Sequence, residues 1–200
     1  MKKGERRKQE LLKIAYRMFR TRGYDNTSVD EIIEEAGIAK GTYYYYFASK
    51  EDMLEEVISM MIDQMAARAE AVLEQDLPVP AKLIGAMMCF RPDESEQAIG
   101  DAMHRPENIV MHEKINEKLL ERSVPIISKV VEQAVSAGLA SCEDIELRVK
   151  MIMIIGSRLF QDADNADAEV RVFIDVIEKI LNAQPGSMAF VKQLLEKETE

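Results

Sequence analysis

This chain of 200 residues lacks tryptophan and has only two cysteines and two histidines. Cys89 and Cys142 show no metal-ligand spacing and cannot supply a framework of disulfides. His104 and His112 stand eight residues apart with a proline between them, which matches no recognised zinc motif. Nucleophile elbows, phosphate loops and HExxH helices are also missing. We therefore expect no metal, no cofactor and no enzymatic activity.

Long apolar runs are missing as well, so we expect no membrane-spanning helix. The N-terminus is basic, but Lys13 and Arg17 interrupt its apolar residues, unlike a signal peptide. Neither strand patterns nor repeats occur, whereas apolar residues recur at helical spacing along most of the chain. The sequence predicts an all-α protein of one or two domains, located in the cytoplasm.

The charge is divided unevenly along the chain. The formal net charge is −10, yet residues 1–50 carry 11 Lys and Arg against 7 Asp and Glu, and residues 51–200 carry 15 against 29. A basic head (residues 1–50) can replace counterions along DNA phosphates, while an acidic body (residues 51–200) discourages non-specific coating of DNA. We therefore predict a three-helix DNA-binding domain over 1–50, followed by a second helical domain over 51–200.

Residues 28–47, SVDEIIEEAGIAKGTYYYYF, are the most informative segment. Ser28 with Glu31 forms a capping box that begins a helix, and Thr27 with Asp30 could do the same one residue earlier. Gly37 ends this helix because glycine readily takes the positive φ of a tight turn. A second short helix follows, so the segment predicts a helix-turn-helix.

The second helix carries four consecutive tyrosines. Ala39, Tyr43 and Phe47 share one face and should pack inward. The other residues should mostly face outward, and they are Lys40, Gly41, Thr42, Tyr44, Tyr45 and Tyr46. A phenol hydroxyl can donate to a phosphate oxygen and its ring can contact a thymine methyl, while Gly41 lets the backbone come close. The alternative is that the tyrosines belong to the core, but four in a row on a helix cannot all face one way.

The stretch from Arg7 to Leu54, which contains GYDNTSVDEIIEEAGIAKGTYYYYFASKEDML, resembles the DNA-binding domain of the tetracycline-repressor family. The resemblance implies a dimeric repressor, released from a palindromic operator by a small hydrophobic effector. It implies accordingly that residues 51–200 form a helical effector-binding and dimerisation domain. It also implies that Thr27 or Ser28 contacts phosphate, that Lys50 contacts phosphate, and that the outward residues of the second helix line the DNA face. Tyr46 and Tyr43 depart from the family, which usually has histidine and an aliphatic residue at these positions.

Further helices are predicted through the body. One begins at Ser49 and ends near Gln75, and Leu77-Pro78-Val79-Pro80 breaks the chain after it. The others are predicted near 81–90, 95–103, 107–121, from about Pro125 to Gly138, over 145–161 and 169–182, and around Phe190, Val191, Leu194 and Leu195.

The helices over 145–161 and 169–182 are candidates for the dimer interface, because the resemblance implies a four-helix bundle formed with a second copy. The candidate residues are Ile152, Ile155, Gly156, Leu159, Phe173, Val176, Ile177 and Ile180. The alternative is that this apolar surface is core within one chain, and periodicity alone leaves the two open.

Thirteen methionines suggest an adaptable apolar pocket for the effector. The candidate residues are Met61, Met65, Met88, Met103 and Met111. Plain core packing is the alternative. Two other functions stay open: a DNA-binding interaction protein without an effector, and an all-helical ligand carrier or enzyme.

Overall fold

The computed structural model describes residues 3–91, 96–103, 109–160 and 167–192. These residues form α-helices and a short 3-10 helix and contain no strand, which confirms the all-α prediction. The helices are α1 (Lys3–Arg22), α2 (Val29–Ala36), α3 (Lys40–Tyr46), α4 (Lys50–Leu73), α5 (Val79–Met88), α6 (Gln97–Met103), α7 (Ile109–Ser136), α8 (Ile145–Leu159) and α9 (Asp167–Leu181), followed by the 3-10 helix Ala189–Val191. No helix in the described ranges is long and apolar enough to cross a membrane.

The chain divides into two compact units. The first unit comprises Met1–Gln64 and Pro92–Leu119, and the second comprises Met65–Arg91 and Leu120–Glu200. Helices α4 and α7 each contribute residues to both units. The limits of these units reflect contacts within the fold. The boundary at residue 50 is based on charge and motif, and it stays a prediction about which part of the chain binds DNA.

The first unit is built on the apolar side of α1, which packs against α2. Its buried residues include Leu11, Leu12, Ala15, Met18, Phe19, Ile32, Tyr43, Phe47, Met53, Leu54 and Val57. Phe19 and Tyr24 meet edge to face at 5.1 Å between ring centroids, a favourable aromatic geometry. This core holds α2 and α3 in place.

Helix α7 corrects the prediction of two helices separated near Pro125. A single helix runs from Ile109 to Ser136 with Pro125 inside it. Proline removes one backbone donor, yet its ring lies on the exposed side of the helix. Val124, Ile126 and Ile127 are buried on the other side. Tertiary packing of this apolar face therefore overrides the local break.

Two other boundaries also differ from the predictions. Helix α5 begins at Val79, directly after Pro78, with Pro80 in its first turn, where proline is well tolerated. Phe190 and Val191 lie in the 3-10 turn instead of an amphipathic α-helix, and Leu194 and Leu195 lie outside the described residues. The loop between α9 and the 3-10 helix is held by the buried Glu178 carboxylate. This carboxylate accepts hydrogen bonds from the backbone N–H groups of Gly186 and Met188 at 3.0 and 2.9 Å.

The second unit has its own core, to which α4, α5, α7, α8 and α9 contribute. Its buried members include Ala69, Ala86, Val130, Val131, Val149, Phe173, Ile177 and Leu181. Gly156 lies against the Phe173 ring, and a Cβ at this position would meet Phe173 Cζ at 3.0 Å. The small residue in α8 thus serves close packing against α9 of the same chain.

Candidate DNA-binding interface

Ser28 begins α2 with the predicted capping box. The Glu31 backbone N–H donates to Ser28 Oγ at 3.2 Å, and the Ser28 backbone N–H donates to Glu31 Oε2 at 2.7 Å. The Ser28 hydroxyl also donates to Glu31 Oε2, at 2.8 Å. The Ser28 backbone N–H first, and then this hydroxyl, hold the pKa of the Glu31 carboxyl below its usual value. The box fixes the start of α2 and leaves Ser28 exposed.

Thr27 differs from both expectations for it. Its side chain is fully buried, and its hydroxyl donates to the Gly23 carbonyl at 2.9 Å. Thr27 therefore stabilises the turn before α2, and the alternative capping box with Asp30 is wrong. Because Thr27 is buried, Ser28 is the residue of this pair that can contact phosphate at the start of α2.

A tight turn joins α2 to α3. Gly37 takes the left-handed conformation, with φ 59° and ψ 41°, and its N–H donates to the Glu34 carbonyl at 3.0 Å. Ala39, expected to pack inward, is exposed because it is the extended N-cap residue and so stands outside the helical periodicity. The glycine turn itself follows the prediction.

Tyr43 and Phe47 anchor α3 in the core of the first unit. Both side chains are buried, and their ring centroids lie 5.6 Å apart. Tyr43 Oη donates to the Ser49 carbonyl at 3.2 Å, and burial raises the pKa of this phenol strongly. Since the anchors are one helical turn apart, they determine which side of α3 faces solvent.

The outward side of α3 is aromatic. Tyr45 is 80% exposed and Tyr44 49% exposed, while Tyr46 is half-buried. The rings of Tyr45 and Tyr46 meet edge to face at 4.9 Å. Tyr46 Oη points back toward the start of α1, since a Cβ at Gly4 would lie 3.7 Å from it. Tyr44 and Tyr45 are therefore the tyrosines most available to a partner.

Smaller residues and cations surround this aromatic surface. Lys40 and Gly41 are exposed and Thr42 is half-buried. A Cβ at Gly41 would meet no atom within 4 Å, so the backbone there is open to close approach. Lys40 Nζ lies 3.1 Å from Asp30 Oδ1, at the start of the helix.

Lys50 stands at the start of α4. Its Nζ lies 4.1 Å from the centroid of the Tyr24 ring, a cation–π contact that orients the ammonium. Ser49 caps α4 by accepting from the Asp52 N–H at 3.0 Å, and Asp52 Oδ2 accepts from the Ala48 N–H at 2.8 Å. This return bond goes to Ala48 instead of Ser49, so the pair forms a variant of the capping box.

The predicted pocket methionines are dispersed. Met61 and Met111 are buried in the first unit, Met65 is buried in the second, and Met88 is exposed. The side chain of Met103 lies outside the described part of the chain. The second unit contains an apolar cavity of ≈ 70 Å³, and none of these five methionines lines it. Its lining residues are Val79, Pro80, Leu83, Val130, Val131, Ala134, Leu139, Leu181, Ser187, Met188 and Phe190.

The predicted dimer residues fall into three groups by exposure. Phe173 and Ile177 are buried in the core of the second unit, which corrects their assignment to a surface. Ile155 and Leu159 are exposed, whereas the others, Ile152, Gly156, Val176 and Ile180, are partly buried. Sequence reasoning missed the exposed Leu147, Met151 and Ile154. These residues recur at spacings of four and three along α8, which places them on one face of the helix. Because α8 is apolar on both sides, this pattern did not show which face is exposed.

A short helix held across a preceding helix by a glycine turn, with its polar and aromatic side toward solvent, is the helix-turn-helix of DNA-binding proteins. Residues 11–57 match the profile of bacterial regulatory proteins of the tetR family. The match covers 47 of the 200 residues, so it shows that this segment is similar to the DNA-binding part of that family of regulators.

Two relatives match longer parts of the chain. The transcriptional repressor KstR2 of Mycolicibacterium smegmatis is 34% identical over 113 residues, which cover 56% of this chain and 51% of that repressor. The chain thus matches about half the length of KstR2. The fatty acid metabolism regulator protein of Bacillus subtilis is 26% identical over 161 residues, covering 78% of this chain and 82% of the relative.

The fold has counterparts among solved structures. The crystal structure of RolR in complex with its ligand resorcinol superposes with a TM-score of 0.67 and covers 98% of each chain. Its sequence is 19% identical, so the similarity shows a shared fold. The helical arrangement that follows the helix-turn-helix is therefore found in another chain as well.

Proposed function

We propose that this protein is a dimeric transcriptional repressor that binds a palindromic DNA operator through α2 and α3. The single observation that carries the proposal is the division of the tyrosines on α3. Tyr43 is buried with Phe47, whereas Tyr44 and Tyr45 face solvent. Exposed aromatic rings are enriched where a partner covers them, and their hydroxyls can donate to phosphate while the rings contact thymine methyl groups.

The polar groups around α3 complement DNA. Lys40 and Lys50 supply positive charge on either side of the tyrosines along the chain, and the Ser28 hydroxyl stands exposed at the start of α2. Contacts of this kind position a protein on the duplex, while side chains entering the major groove read the bases. We assign phosphate contacts to Ser28, Lys40, Lys50 and the Tyr44 hydroxyl. We assign base contacts to Thr42, Tyr45 and the ring of Tyr44. Gly41 lets the α3 backbone come close to DNA. Tyr46, whose hydroxyl lies near the start of α1, supports this approach. Binding to a bacterial chromosome would place the protein in the cytoplasm.

We infer a dimer because one recognition helix contacts only a few base pairs. A two-fold dimer places two such helices about 34–36 Å apart, on successive major grooves of one DNA face. Helix α8 presents the surface for this contact, an exposed apolar stripe formed by Leu147, Met151, Ile154, Ile155 and Leu159. Contiguous apolar surface of this kind marks interaction sites.

A small hydrophobic effector would release the repressor from DNA. A structural neighbour was crystallised with the ligand resorcinol, and one relative is named as a regulator of fatty acid metabolism. Met61 and Met111 remain candidates for the site, since both are buried in the first unit and their thioethers adapt to irregular apolar shapes. An effector would stabilise the folded protein by mass action, which distinguishes this function from a DNA-binding protein without an effector.

The proposal is tested by titrating several fluorescent duplexes of unrelated sequence, each at several salt concentrations. The logarithm of the binding constant should fall linearly with the logarithm of salt, because phosphate contacts release counterions. Lys50→Ala should lower that slope by about one unit per lost phosphate contact and weaken all sequences alike. Lys129→Ala is the matched control, since it removes an exposed lysine from the second unit.

Equal effects of the two substitutions would remove Lys50 from the interface. An absence of duplex binding by the folded wild-type protein at low salt would contradict the DNA-binding function as a whole. A change in sequence preference in Lys50→Ala would instead assign Lys50 to base contacts.

A further inference from the structure

Asp30 lies beside the first residue of the recognition helix α3. Its Oδ1 accepts a hydrogen bond from Lys40 Nζ at 3.1 Å, and both side chains are exposed. Two other carboxylates of α2 have different partners: Glu31 holds the Ser28 backbone, and Glu35 pairs with Arg17. Among the described contacts, Asp30 is thus the acidic group that reaches from α2 to α3.

This contact stabilises the charged form of Lys40. The hydrogen bond to Asp30, followed by the charge of Asp30, raises the pKa of the Lys40 ammonium. Lys40 also stands at the N-terminus of α3, where the helix dipole disfavours a cation. Asp30 therefore compensates for a charge that the helix itself does not favour.

A DNA phosphate would need the same ammonium. Phosphate and carboxylate are both anions that accept hydrogen bonds from lysine, and one ammonium close to a carboxylate gives up part of its attraction for a second anion. The Asp30 carboxylate, 3.1 Å from Lys40, would also repel an approaching phosphate. These two effects act in the same direction.

We propose that Asp30 competes with the DNA phosphates for Lys40 and so weakens binding to duplexes of every sequence. The inference rests on the DNA-binding function proposed above. It makes Asp30 a positioning residue that acts through Lys40 and limits sequence-independent affinity, the property that leads a regulator to occupy the wrong sites.

The test compares Asp30→Asn with Asp175→Asn in the full-length protein. Asp175 forms an exposed pair with Lys179 on α9, at 2.5 Å, so both substitutions remove one paired surface carboxylate and change the net charge equally. Asp30→Asn should tighten binding to a mixed-sequence duplex about two- to fivefold per helix-turn-helix, the size expected from an exposed ion pair. Asp175→Asn should leave the affinity unchanged.

A Lys40→Ala background separates competition for Lys40 from direct repulsion. If Asp30 acts mainly through Lys40, the gain from Asp30→Asn shrinks to less than half in Lys40→Ala. A gain of undiminished size there would show that Asp30 acts by direct repulsion of phosphate alone and would overturn the proposal, as would equal gains from Asp30→Asn and Asp175→Asn. Circular dichroism melting of each variant verifies that the comparison is between folded proteins.

The remaining outcomes are also distinct. Unchanged or weaker binding by Asp30→Asn, with normal binding by the wild type, would show that the pair merely orients Lys40 or stabilises α3, and would overturn this inference alone. An absence of duplex binding by the wild type would overturn the DNA-binding function and this inference with it.

Discussion

At the scale of single residues, the same amino acid serves two purposes in adjacent positions. Tyr43 is buried and its hydroxyl donates to the Ser49 carbonyl, whereas the Tyr44 side chain is half exposed. The difference arises because neighbouring helical residues point 100° apart while the core lies on one side. A comparison of these two positions therefore separates structural and DNA-binding roles of a phenol hydroxyl.

Tyr44→Phe should weaken DNA binding by about 0.5–1.5 kcal/mol per half-site if the hydroxyl bonds phosphate, the usual contribution of one hydrogen bond. Tyr43→Phe should instead lower the free energy of unfolding by a similar amount and leave the affinity of the folded protein unchanged. Duplex titration and denaturant unfolding of both variants test the two expectations. Unchanged affinity in Tyr44→Phe would exclude its hydroxyl from the contacts.

Glu31 gives a prediction of pH dependence. Its pKa lies below its ordinary value of 4.5, so its stabilising contribution is fully present above pH 4.5 and is lost as the pH falls through the lowered pKa. Glu31→Gln keeps a side chain that can complete the capping box without a charge. The stability difference between wild type and Glu31→Gln should therefore shrink on acidification in denaturant unfolding. A constant difference down to about pH 3 would contradict this role.

At the scale of elements, the helix-turn-helix could be predicted from the sequence because its signals are local. Ser28, Glu31 and Gly37 act through the backbone within a few residues of themselves, and the structure places the cap and turn where these residues predict them. Ala39 is exposed, contrary to the prediction, because a helical wheel does not apply to an N-cap residue with extended backbone. Thr27 was also misplaced, since its burial depends on how α1 and α2 pack.

Pro125 shows the limit of local signals. Proline at this position was interpreted as a helix start, but the buried face of α7 continues through it. Pro125→Ala should raise the free energy of unfolding, by no more than about 3 kcal/mol, because it restores a backbone donor inside a helix. The greater entropy of the unfolded chain offsets part of this gain. Loss of stability in thermal melting would indicate a helix that begins at Pro125 instead.

At the scale of the whole molecule, periodicity cannot distinguish an apolar face that packs within the chain from one that packs against a second copy. Phe173 and Ile177 had the same helical spacing as surface candidates, yet they lie in the core, while Ile155 and Leu159 of α8 are exposed. The methionines present a similar problem, because residues far apart in sequence converge only through tertiary packing. The division of charge, by contrast, is visible in the sequence itself.

Ile155→Glu should disrupt the dimer if α8 forms the interface. Two-fold symmetry places the change twice in one contact, so an unpaired charge should weaken association by about 100-fold or more. Leu77→Glu is the control, since Leu77 is also exposed and apolar but lies outside α8. Sedimentation analysis should find a monomer for Ile155→Glu and a dimer for the control. A dimeric Ile155→Glu protein would place the interface elsewhere.

The central claim is that two copies of this helix-turn-helix read one DNA site. Selection of bound duplexes from a random pool, at a stated salt concentration, tests it most directly. We predict enrichment of a palindromic sequence whose half-sites are centred about 10 base pairs, or a multiple of one helical turn, apart. No enrichment above non-specific binding by folded protein would contradict the claim, and enrichment of a single half-site would contradict the dimer.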